Sequence, residues 1–374
     1  MSGLGTPFFH VRKKTLLTNI NRLHKFINEF NVSIRPHFKT TRSINALPYL
    51  LADKKSPVTV STIKEAEALV GEGYTNILYA VGITESKLTR VKNLNEQGSN
   101  VIILIDSLEQ AISINKYCVD NGCCFSVLIE VDCDGHRGGI KPNSPLLVQV
   151  AKTVQGGSAE FVGVLAHAGE SYSCFDKLSL QTAAQNEVEQ TRLAVSYLFQ
   201  AGIPCKIVSI GSTPTAHNYQ DLEGITEVRA GVYTFFDLVM AGTGVCDIND
   251  IAATVVTTVI GHNREQGWLF VDAGWMALSA DRGTEKQPND CGYGLVTTSD
   301  GTLQTNLRVV TVNQEHGIIA STEPNALNPD DFPIGTRLHI LPNHACATAS
   351  MHSIYHVFDE LNNSHEVWTR IQGW

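Results

Sequence analysis

A single lysine follows the first strand-like segment of the repeating part of the chain. Residues 34–41 read Ile-Arg-Pro-His-Phe-Lys-Thr-Thr, and the lysine is Lys39. At the carboxyl end of a barrel strand, a lysine faces the end of the barrel where active sites lie. Desolvation of its amine lowers the pKa and frees the amine to form a Schiff base. An isolated lysine here is usually an ordinary surface residue, so its neighbours decide the interpretation.

Two glycine turns later in the chain could hold an anion. Gly211, Ser212 and Thr213 directly follow the seventh strand-like segment, and Gly231 and Tyr233 follow the eighth. Glycine lets the backbone approach an anion, and hydroxyls with free N–H groups at a helix start can cradle a phosphate. The loops after strands seven and eight often bind phosphate in barrels of this kind. Together with Lys39, the turns predict a cofactor that carries a phosphate.

A histidine and a cysteine two residues apart, His344 and Cys346, follow the strand-like segment RLHILP. If the chain stays extended there, both side chains project from the same face. Imidazole nitrogen and thiolate sulfur are typical zinc ligands. A bare His-x-Cys is more often a packed core pair, but the predicted lysine and phosphate turns favour a metal pair with open positions for water and substrate.

Two further polar residues stand at strand ends, Arg137 in the segment EVDCDGHRGG and His167 in LAHAGESY. In a barrel both would lie on the catalytic face. The arginine could contact a cofactor ring or a substrate carboxylate, and the histidine could stack on the ring. A loop charge and a core histidine are the alternatives for these two residues.

The elements that would position these residues alternate between strand and helix. Strand-like runs occur near residues 32–38, 57–61, 76–81, 100–105, 125–132, 160–166, 205–210 and 225–229. Helical stretches such as 62–71, 107–121 and 178–200 lie between them, and an amphipathic helix with apolar residues from Leu16 to Phe30 precedes them. Eight βα units in roughly 200 residues predict a TIM barrel of the (β/α)8 type. A doubly wound open sheet has the same local pattern and is the alternative.

The pattern changes after about residue 245, where strands follow one another with hardly any helix between them. We therefore predict a barrel over residues 15–245 and a β-rich domain over residues 246–374, on which residues 1–14 pack. The Gly-, Pro- and Asp-containing stretch 281–293 is predicted to be a long loop.

The composition excludes several classes of protein. The net charge of −9 argues against a nucleic-acid-binding surface, and no apolar run is long enough to span a membrane. The N-terminus lacks the order of a secretory signal, and nine scattered cysteines indicate reduced thiols. We expect a cytoplasmic enzyme that acts on a small molecule.

These motifs together resemble the fold-type III pyridoxal-phosphate (PLP) enzymes of the D-serine dehydratase and D-threonine aldolase group, which are related to alanine racemase. The resemblance runs over nearly the whole chain and includes RPHFKTT, EVDCDGHRGG, GVLAHAGESY, SIGSTPT, EVRAGVY and PNHACATASMHSIY. Single motifs of this kind occur by chance, but this order and spacing is specific.

The resemblance implies roles for individual residues. Lys39 would hold PLP, and the phosphate would be held by Gly211, Ser212, Thr213, Gly231 and Tyr233. Arg137, His167 and Tyr172 would contact or flank the ring, and His344 and Cys346 would bind Zn²⁺. In the family the barrel of one subunit meets the β-rich domain of the other, so a homodimer is implied.

The resemblance leaves two reactions of a D-β-hydroxy amino acid open. Dehydration gives a 2-oxo acid and ammonia, whereas aldol cleavage gives glycine and an aldehyde. A thiolate ligand favours zinc, while a carboxylate suits Mn²⁺ or Mg²⁺. The resemblance implies cysteine at the second metal position in the dehydratases of this group and usually aspartate in the aldolases. Cys346 therefore favours a D-serine dehydratase-like lyase. A non-catalytic PLP carrier protein is the alternative from another class, although such proteins lack a β-rich domain and a metal pair.

Overall fold

The computed structural model describes residues 3–323, 326–359 and 361–374. The chain divides into two compact units. The β-rich unit contains Met1–Ile20 and Val232–Arg370, and the barrel unit contains Asn21–Gly231 and Ile371–Trp374. The predicted domain boundaries, 15–245 and 246–374, stay predictions about independently folding domains, which a division into compact units does not test.

The strands of the described residues are, in chain order, β1 (Phe8–Arg12), β2 (Ser33–Pro36), β3 (Val58–Val60), β4 (Asn76–Gly82), β5 (Asn100–Ile105), β6 (Ser126–Val131), β7 (Glu160–Ala166), β8 (Ile207–Ile210), β9 (Glu227–Ala230), β10 (Ala253–Asn263), β11 (Trp268–Val271), β12 (Leu295–Thr298), β13 (Leu303–Val312), β14 (Gly317–Ser321), β15 (Arg337–Leu341), β16 (Ile354–Asp359) and β17 (Ser364–Thr369).

The α-helices of the same residues are α1 (Lys13–Asn28), α2 (Leu47–Leu50), α3 (Ile63–Gly71), α4 (Glu85–Glu96), α5 (Leu108–Asn121), α6 (Pro145–Gln155), α7 (Lys177–Gln200), α8 (Thr213–Ala216), α9 (Leu238–Gly242), α10 (Trp275–Leu278) and α11 (Ala345–Ser350). Short 3-10 helices cover Ile44–Ala46, Gly169–Ser173, Val232–Thr234, Ile248–Asp250 and Pro329–Asp331.

Strands β2 to β9 form a parallel barrel, which confirms the predicted fold class. The order of the strands is β2-β9-β8-β7-β6-β5-β4-β3. A parallel bridge between His37 and Thr59 joins the two ends of this order, and the Phe38 N–H donates to the Thr59 carbonyl at 2.8 Å. The alternative of an open sheet is therefore wrong, because closure leaves no free edge strand.

Several barrel strands are apolar runs because helices cover one face and the barrel interior the other. In β5, for example, every residue after Asn100 is buried. Helices between the strands begin at side chains that accept a backbone N–H, as Thr62 does for α3 and Asp176 for α7. Such caps satisfy donors that have no partner inside the helix.

The β-rich unit contains one sheet in the described part of the chain, with the order β11-β14-β13-β12-β15-β10-β1-β16-β17. Strand β10 pairs with β11 as well, so strands β10 to β15 close on themselves. Strand β1 lies between β10 and β16. The succession of strands predicted after residue 245 is present, whereas β12 and the N-terminal strand β1 were not predicted. The stretch 281–293 forms a loop without regular structure.

No helix of the described residues is long and apolar enough to cross a membrane. The nine cysteines all lie in the described part of the chain, and none of them is in a disulfide.

Candidate active site

Lys39 lies three residues beyond the end of β2, at the carboxyl end of the barrel strands. Its side chain is exposed, and its backbone N–H lies 3.4 Å from Nδ1 of His37. Burial lowers the pKa of His37 well below its ordinary value, and the charges of Lys39 and Arg229 lower it further. The imidazole beside Lys39 is therefore neutral at neutral pH.

The turn after β8 is shaped by a glycine that no other residue could replace without a shift. Gly211 has a φ of +133°, and a Cβ built on it would lie 2.1 Å from the carbonyl oxygen of Arg229. The Ser212 hydroxyl caps the following helix, α8, by accepting from Thr215 N, and the Thr215 hydroxyl accepts from Ser212 N. The backbone at Gly211 thus lies very close to the backbone at Arg229, as an anion cradle requires.

The turn also contains a buried hydroxyl that a bound phosphate would satisfy. Oγ1 of Thr213 is buried and has no hydrogen-bond partner within the described residues. A buried hydroxyl without a partner costs free energy unless a ligand supplies the missing bond. Gly231 forms a second close approach, since a Cβ there would lie 2.9 Å from Oγ1 of Thr40 and 3.2 Å from Cβ of His37.

His167 links the end of β7 to the same turn. Its Nδ1 lies 2.9 Å from the Gly211 carbonyl, so Nδ1–H donates and Nε2 is the free ring nitrogen. Burial lowers the pKa of His167 to about 3, and the positive charges of Arg229, Lys39 and Arg137 contribute to the lowering. Because the charges of Lys39 and Arg137 and the hydrogen bond to Gly211 all act on His167, these four predicted residues lie in one region of the barrel unit.

Arg137 and Tyr172 are held more loosely than His167. Arg137 is exposed and lies 3.4 Å from a carboxylate oxygen of Glu130. Tyr172 is half-buried in the 3-10 helix Gly169–Ser173, next to Ser171, whose hydroxyl lies 2.9 Å from that of Ser212. The segment that carries Tyr172 therefore contacts the turn Gly211–Thr213, which we call the anion turn.

Glu187 on α7 is a residue of this region that the sequence did not reveal. Its carboxylate accepts from Ala168 N at 3.0 Å, Gly211 N at 2.9 Å and the Tyr219 hydroxyl at 2.6 Å. Burial raises the pKa of Glu187, and the hydrogen bonds oppose that rise. One buried side chain thereby fixes both the His167 loop and the Gly211 turn.

Three predicted residues, Tyr233, His344 and Cys346, belong to the β-rich unit. Tyr233 lies in the 3-10 helix Val232–Thr234 and is fully buried, and burial raises its pKa. The other two form a pair of their own.

The reason given for pairing His344 with Cys346 was wrong, although the pair itself is present. The segment is not extended, because His344 is the N-cap of α11 and Cys346 lies in the first turn of that helix. The run Ala-Cys-Ala-Thr-Ala after the histidine favours helix through its alanines. The side chains of His344 and Cys346 nevertheless meet in a hydrogen bond.

Asp281, on the loop 281–293, holds the imidazole of this pair. Its Oδ2 lies 2.9 Å from Nδ1 of His344. Burial by itself lowers the pKa of His344, but the hydrogen bonds with Asp281 and Cys346 raise it to about 11. With Nδ1 engaged, Nε2 is the nitrogen left for a metal, and a carboxylate behind a histidine in this way is typical of metal sites.

The loop and the helix start are fixed by two further side chains. Asn343 donates to the Gly292 carbonyl and accepts from the Thr284 hydroxyl at 2.7 Å. Asp237 accepts from Ala345 N at 2.8 Å while it caps α9, and burial raises its pKa. In the described residues no group of three or more His, Cys, Asp or Glu side chains is placed to hold a metal ion. Imidazole and thiol are ligand types that zinc accepts, and two of them leave the other positions of a tetrahedral site to water or substrate.

Two family models match the chain, one in each half. The model described as alanine racemase, N-terminal domain, matches residues 11–239. The model described as putative serine dehydratase domain matches residues 252–358.

Known proteins resemble the chain over its whole length. D-threo-3-hydroxyaspartate dehydratase from Delftia sp. (strain HT23) is 42% identical and covers 99% of this chain and 98% of its own. D-serine dehydratase from Dictyostelium discoideum is 30% identical, with 98% and 96% covered. The crystal structure of an alanine racemase-like protein from Idiomarina loihiensis has 48% identity and a TM-score of 0.97, and covers 100% of this chain and 98% of its own.

The barrel and the β-rich sheet define an enzyme of the alanine racemase-like class, fold-type III of the PLP enzymes. Within that class, the chain belongs to the D-serine dehydratase family of PLP-dependent lyases.

Proposed function

We propose that this chain is a PLP- and zinc-dependent dehydratase of D-3-hydroxy amino acids, which converts them to a 2-oxo acid and ammonia. The observation that carries the proposal is the imidazole and thiol pair of His344 and Cys346, with Asp281 on Nδ1 of the histidine. The 42% identity with a D-threo-3-hydroxyaspartate dehydratase supports dehydration rather than aldol cleavage. D-threo-3-hydroxyaspartate and D-serine are the substrates that we expect.

In this proposal the barrel unit binds PLP. The turn Gly211–Thr213 and Gly231 hold the phosphate, and the unpartnered Thr213 hydroxyl donates to it. Tyr233, a residue of the β-rich unit, is proposed as a further phosphate ligand on the family resemblance alone. The neutral imidazole of His167 flanks the ring without adding a charge, and Arg137 and Tyr172 contact the cofactor or the substrate carboxylate. Bound PLP supplies an electron sink for the negative charge that develops at Cα of the substrate.

The reaction needs a proton to leave Cα and a hydroxide to leave Cβ. Lys39 is the base in our proposal, because its amine is exposed and the family resemblance assigns PLP to it, and its Nζ takes the α-proton. His344 and Cys346 would hold Zn²⁺, which supplies a Lewis acid for the leaving β-oxygen. Because Asp281 occupies Nδ1 of His344, Nε2 would be the nitrogen that ligates the metal. Loss of water and its later addition to the imine carbon give the 2-oxo acid and ammonia.

A product assay tests this function. The purified enzyme is incubated separately with D-serine, D-threonine and D-threo-3-hydroxyaspartate, and 2-oxo acid, ammonia, glycine and aldehyde are measured. We expect 2-oxo acid and ammonia in equal amounts. Glycine with aldehyde would identify an aldolase, L-isomer formed without metal would identify a racemase, and no turnover of any substrate would favour a PLP carrier.

We also propose that the enzyme is a cytoplasmic homodimer in which the barrel of one subunit works with the β-rich unit of the other. This part rests on the family resemblance. It can be tested by mixing equal amounts of Lys39→Ala and Cys346→Asp proteins after reversible dissociation. If each site uses both subunits, half of the dimers are mixed and each has one intact site, so about one quarter of the wild-type activity returns. Recovery of no activity from verified mixed dimers would contradict the shared site.

A further inference from the structure

A cavity of about 510 Å³ lies within the β-rich unit. Three imidazoles line it, those of His10, His339 and His365, and neither His344 nor Cys346 is among its lining residues. No step of the proposed reaction uses these histidines.

The sheet itself brings the histidines together. The strands β15, β10, β1, β16 and β17 are consecutive neighbours. His10 on β1 is opposite Thr254 on β10, and Phe358 on β16 is opposite His365 on β17. The His10 and Phe358 rings lie 4.9 Å apart, and those of Phe358 and His365 stack at 4.5 Å. His339 is opposite Val256 and Phe358 is opposite Arg12, each two residues along from the pairs of His10, so the three imidazoles lie diagonally on one face of the sheet.

A single hydroxyl connects the two most buried imidazoles. Oγ1 of Thr254 lies 3.3 Å from Nδ1 of His10 and 3.1 Å from Nδ1 of His339. A hydroxyl has one hydrogen, so it donates to one Nδ1 and accepts N–H from the other. When both rings are neutral, one therefore has N–H at Nε2 and the other has a bare Nε2. Among the described residues, no side chain or backbone group is hydrogen-bonded to either Nε2.

The rings of His10 and His339 are buried near two arginines. His10 is 3% exposed and His339 is 6% exposed. Burial together with neighbouring groups lowers the pKa of His10 to about 3 and that of His339 to about 4. Besides burial, Arg12 acts on both rings, Arg337 acts on His339, and His339, His356 and His365 act on His10.

The acidic residues of the cavity are already engaged by their own turns. Asp300 accepts from the Thr298 hydroxyl at 2.5 Å and from Thr302 N at 3.1 Å. Asp359 accepts from Asn362 Nδ2 at 2.9 Å and lies 3.8 Å from Nζ of Lys13. His10 and His339 therefore each present to the cavity an Nε2 that has no hydrogen-bond partner among the described residues.

We propose that this cavity binds the oxyanion of a small metabolite, a carboxylate or a phosphate group, through Nε2 of His10 and His339, and that binding takes up one proton. The neutral pair offers one N–H donor. One proton added at the bare Nε2 gives a second donor and one positive charge, and the hydrogen bonds through Thr254 stay intact. Two charge-assisted N–H donors then face the two oxygens of the anion.

Calorimetric titration of the PLP-loaded enzyme in cationic buffers tests the proposal. Sulfate stands for a phosphate group and formate for a carboxylate, because neither titrates in the pH range used. We expect one anion per chain, and an affinity that falls about tenfold for each pH unit above about pH 5, as uptake of one proton requires. Buffers with different ionisation heats measure the proton directly, and the tighter anion identifies the kind of metabolite.

His339→Phe keeps an aromatic ring at this position of β15 but removes Nε2, and we expect it to weaken anion binding at least tenfold. His365→Asn, nearer the surface, is the second variant if the first does not fold, and it should weaken binding by a smaller factor. His262→Asn, outside the cavity lining, is the matched control and should bind as wild type does. Absence of saturable binding, a pH-independent affinity, or equal affinities in wild type and folded His339→Phe would each overturn the proposal.

Discussion

The anion turn after β8 gives a prediction whose size follows from the structure. In Gly211→Ala, the new Cβ would lie 2.1 Å from the Arg229 carbonyl oxygen, whereas ordinary contacts begin at 3.4 Å. The turn must therefore move by about 1.3 Å, the difference between these distances. A shift of that size carries backbone N–H groups out of hydrogen-bond range, and a misplacement of about 1 Å can cost roughly 100-fold in function. We expect the affinity for PLP to fall about 100-fold, equivalent to roughly 2.7 kcal/mol.

A second glycine separates this contact from simple backbone strain. Gly224 has a φ of +75° in the same unit, and a Cβ there would meet nothing within 4 Å. Gly224→Ala should lose roughly 1 kcal/mol of stability through its positive φ and bind PLP as wild type does.

The assay is titration of each PLP-free protein with PLP, followed by visible absorbance, with thermal unfolding measured in parallel. A Gly211→Ala protein that is folded and binds PLP within about threefold of wild type would refute the argument, because a turn that absorbs the contact so easily is not a fixed anion cradle.

Four other expectations concern the amine, the metal pair and the buried histidines. Lys39→Ala should abolish turnover and the visible absorbance of the bound cofactor, while Lys206→Ala, in a surface ion pair, should change neither. Cys346→Asp should keep that absorbance but weaken zinc-dependent elimination, and unchanged activity would remove the argument for the metal. Asp281→Asn should weaken zinc binding by about 10- to 100-fold in a competition assay with a chelator, because it alters the group that orients His344; equal affinities would show that the contact is incidental. Stability should fall as the pH drops from about 6.5 to about 4, by roughly 1.4 kcal/mol per pH unit for each buried histidine that is neutral in the fold and charged when unfolded. Urea unfolding across that range, with one of these histidines replaced by phenylalanine, should give a slope smaller by one proton, and an unchanged slope would contradict the assignment; the histidines are His10, His167 and His339.

The barrel could be predicted because its signal is local and repeated. A strand covered on both faces is mostly apolar, as residues 101–105 are, and the helix that follows this run is capped by Ser107. Strands β1 and β12 were not predicted. Their sequences, FFHVR and LVTT, become strands through pairing with β10 and β15, which are distant in the chain.

The candidate site was predictable only where its residues sit in local motifs. Lys39 lies three residues after β2, and Gly211 immediately follows β8. Their place at the carboxyl end of the barrel therefore follows from the fold. Glu187 is different, because in the sequence it is one of two glutamates on a long helix and only folding shows that it is fully buried. Asp281 is 63 residues from His344, and no pattern along the chain connects the two.

The helix that begins at Ala345 shows a different kind of error. The His-x-Cys pair was interpreted with the two-residue repeat of a strand, although the alanines that follow favour a helix turn. The two side chains meet because one belongs to the N-cap and the other to the first turn. The contact between the two side chains thus has a different geometric basis from the one predicted, and metal binding by the pair stays a prediction.

Removal and return of the metal test the central claim most directly. The enzyme is assayed for 2-oxo acid from D-threo-3-hydroxyaspartate as purified, after chelation, and after Zn²⁺ is added back, with PLP content followed by absorbance at each stage. We predict that 2-oxo acid formation is lost on chelation and restored by Zn²⁺ while the bound PLP stays constant. Turnover that persists at full rate in the metal-depleted enzyme would contradict metal-assisted dehydration by this chain.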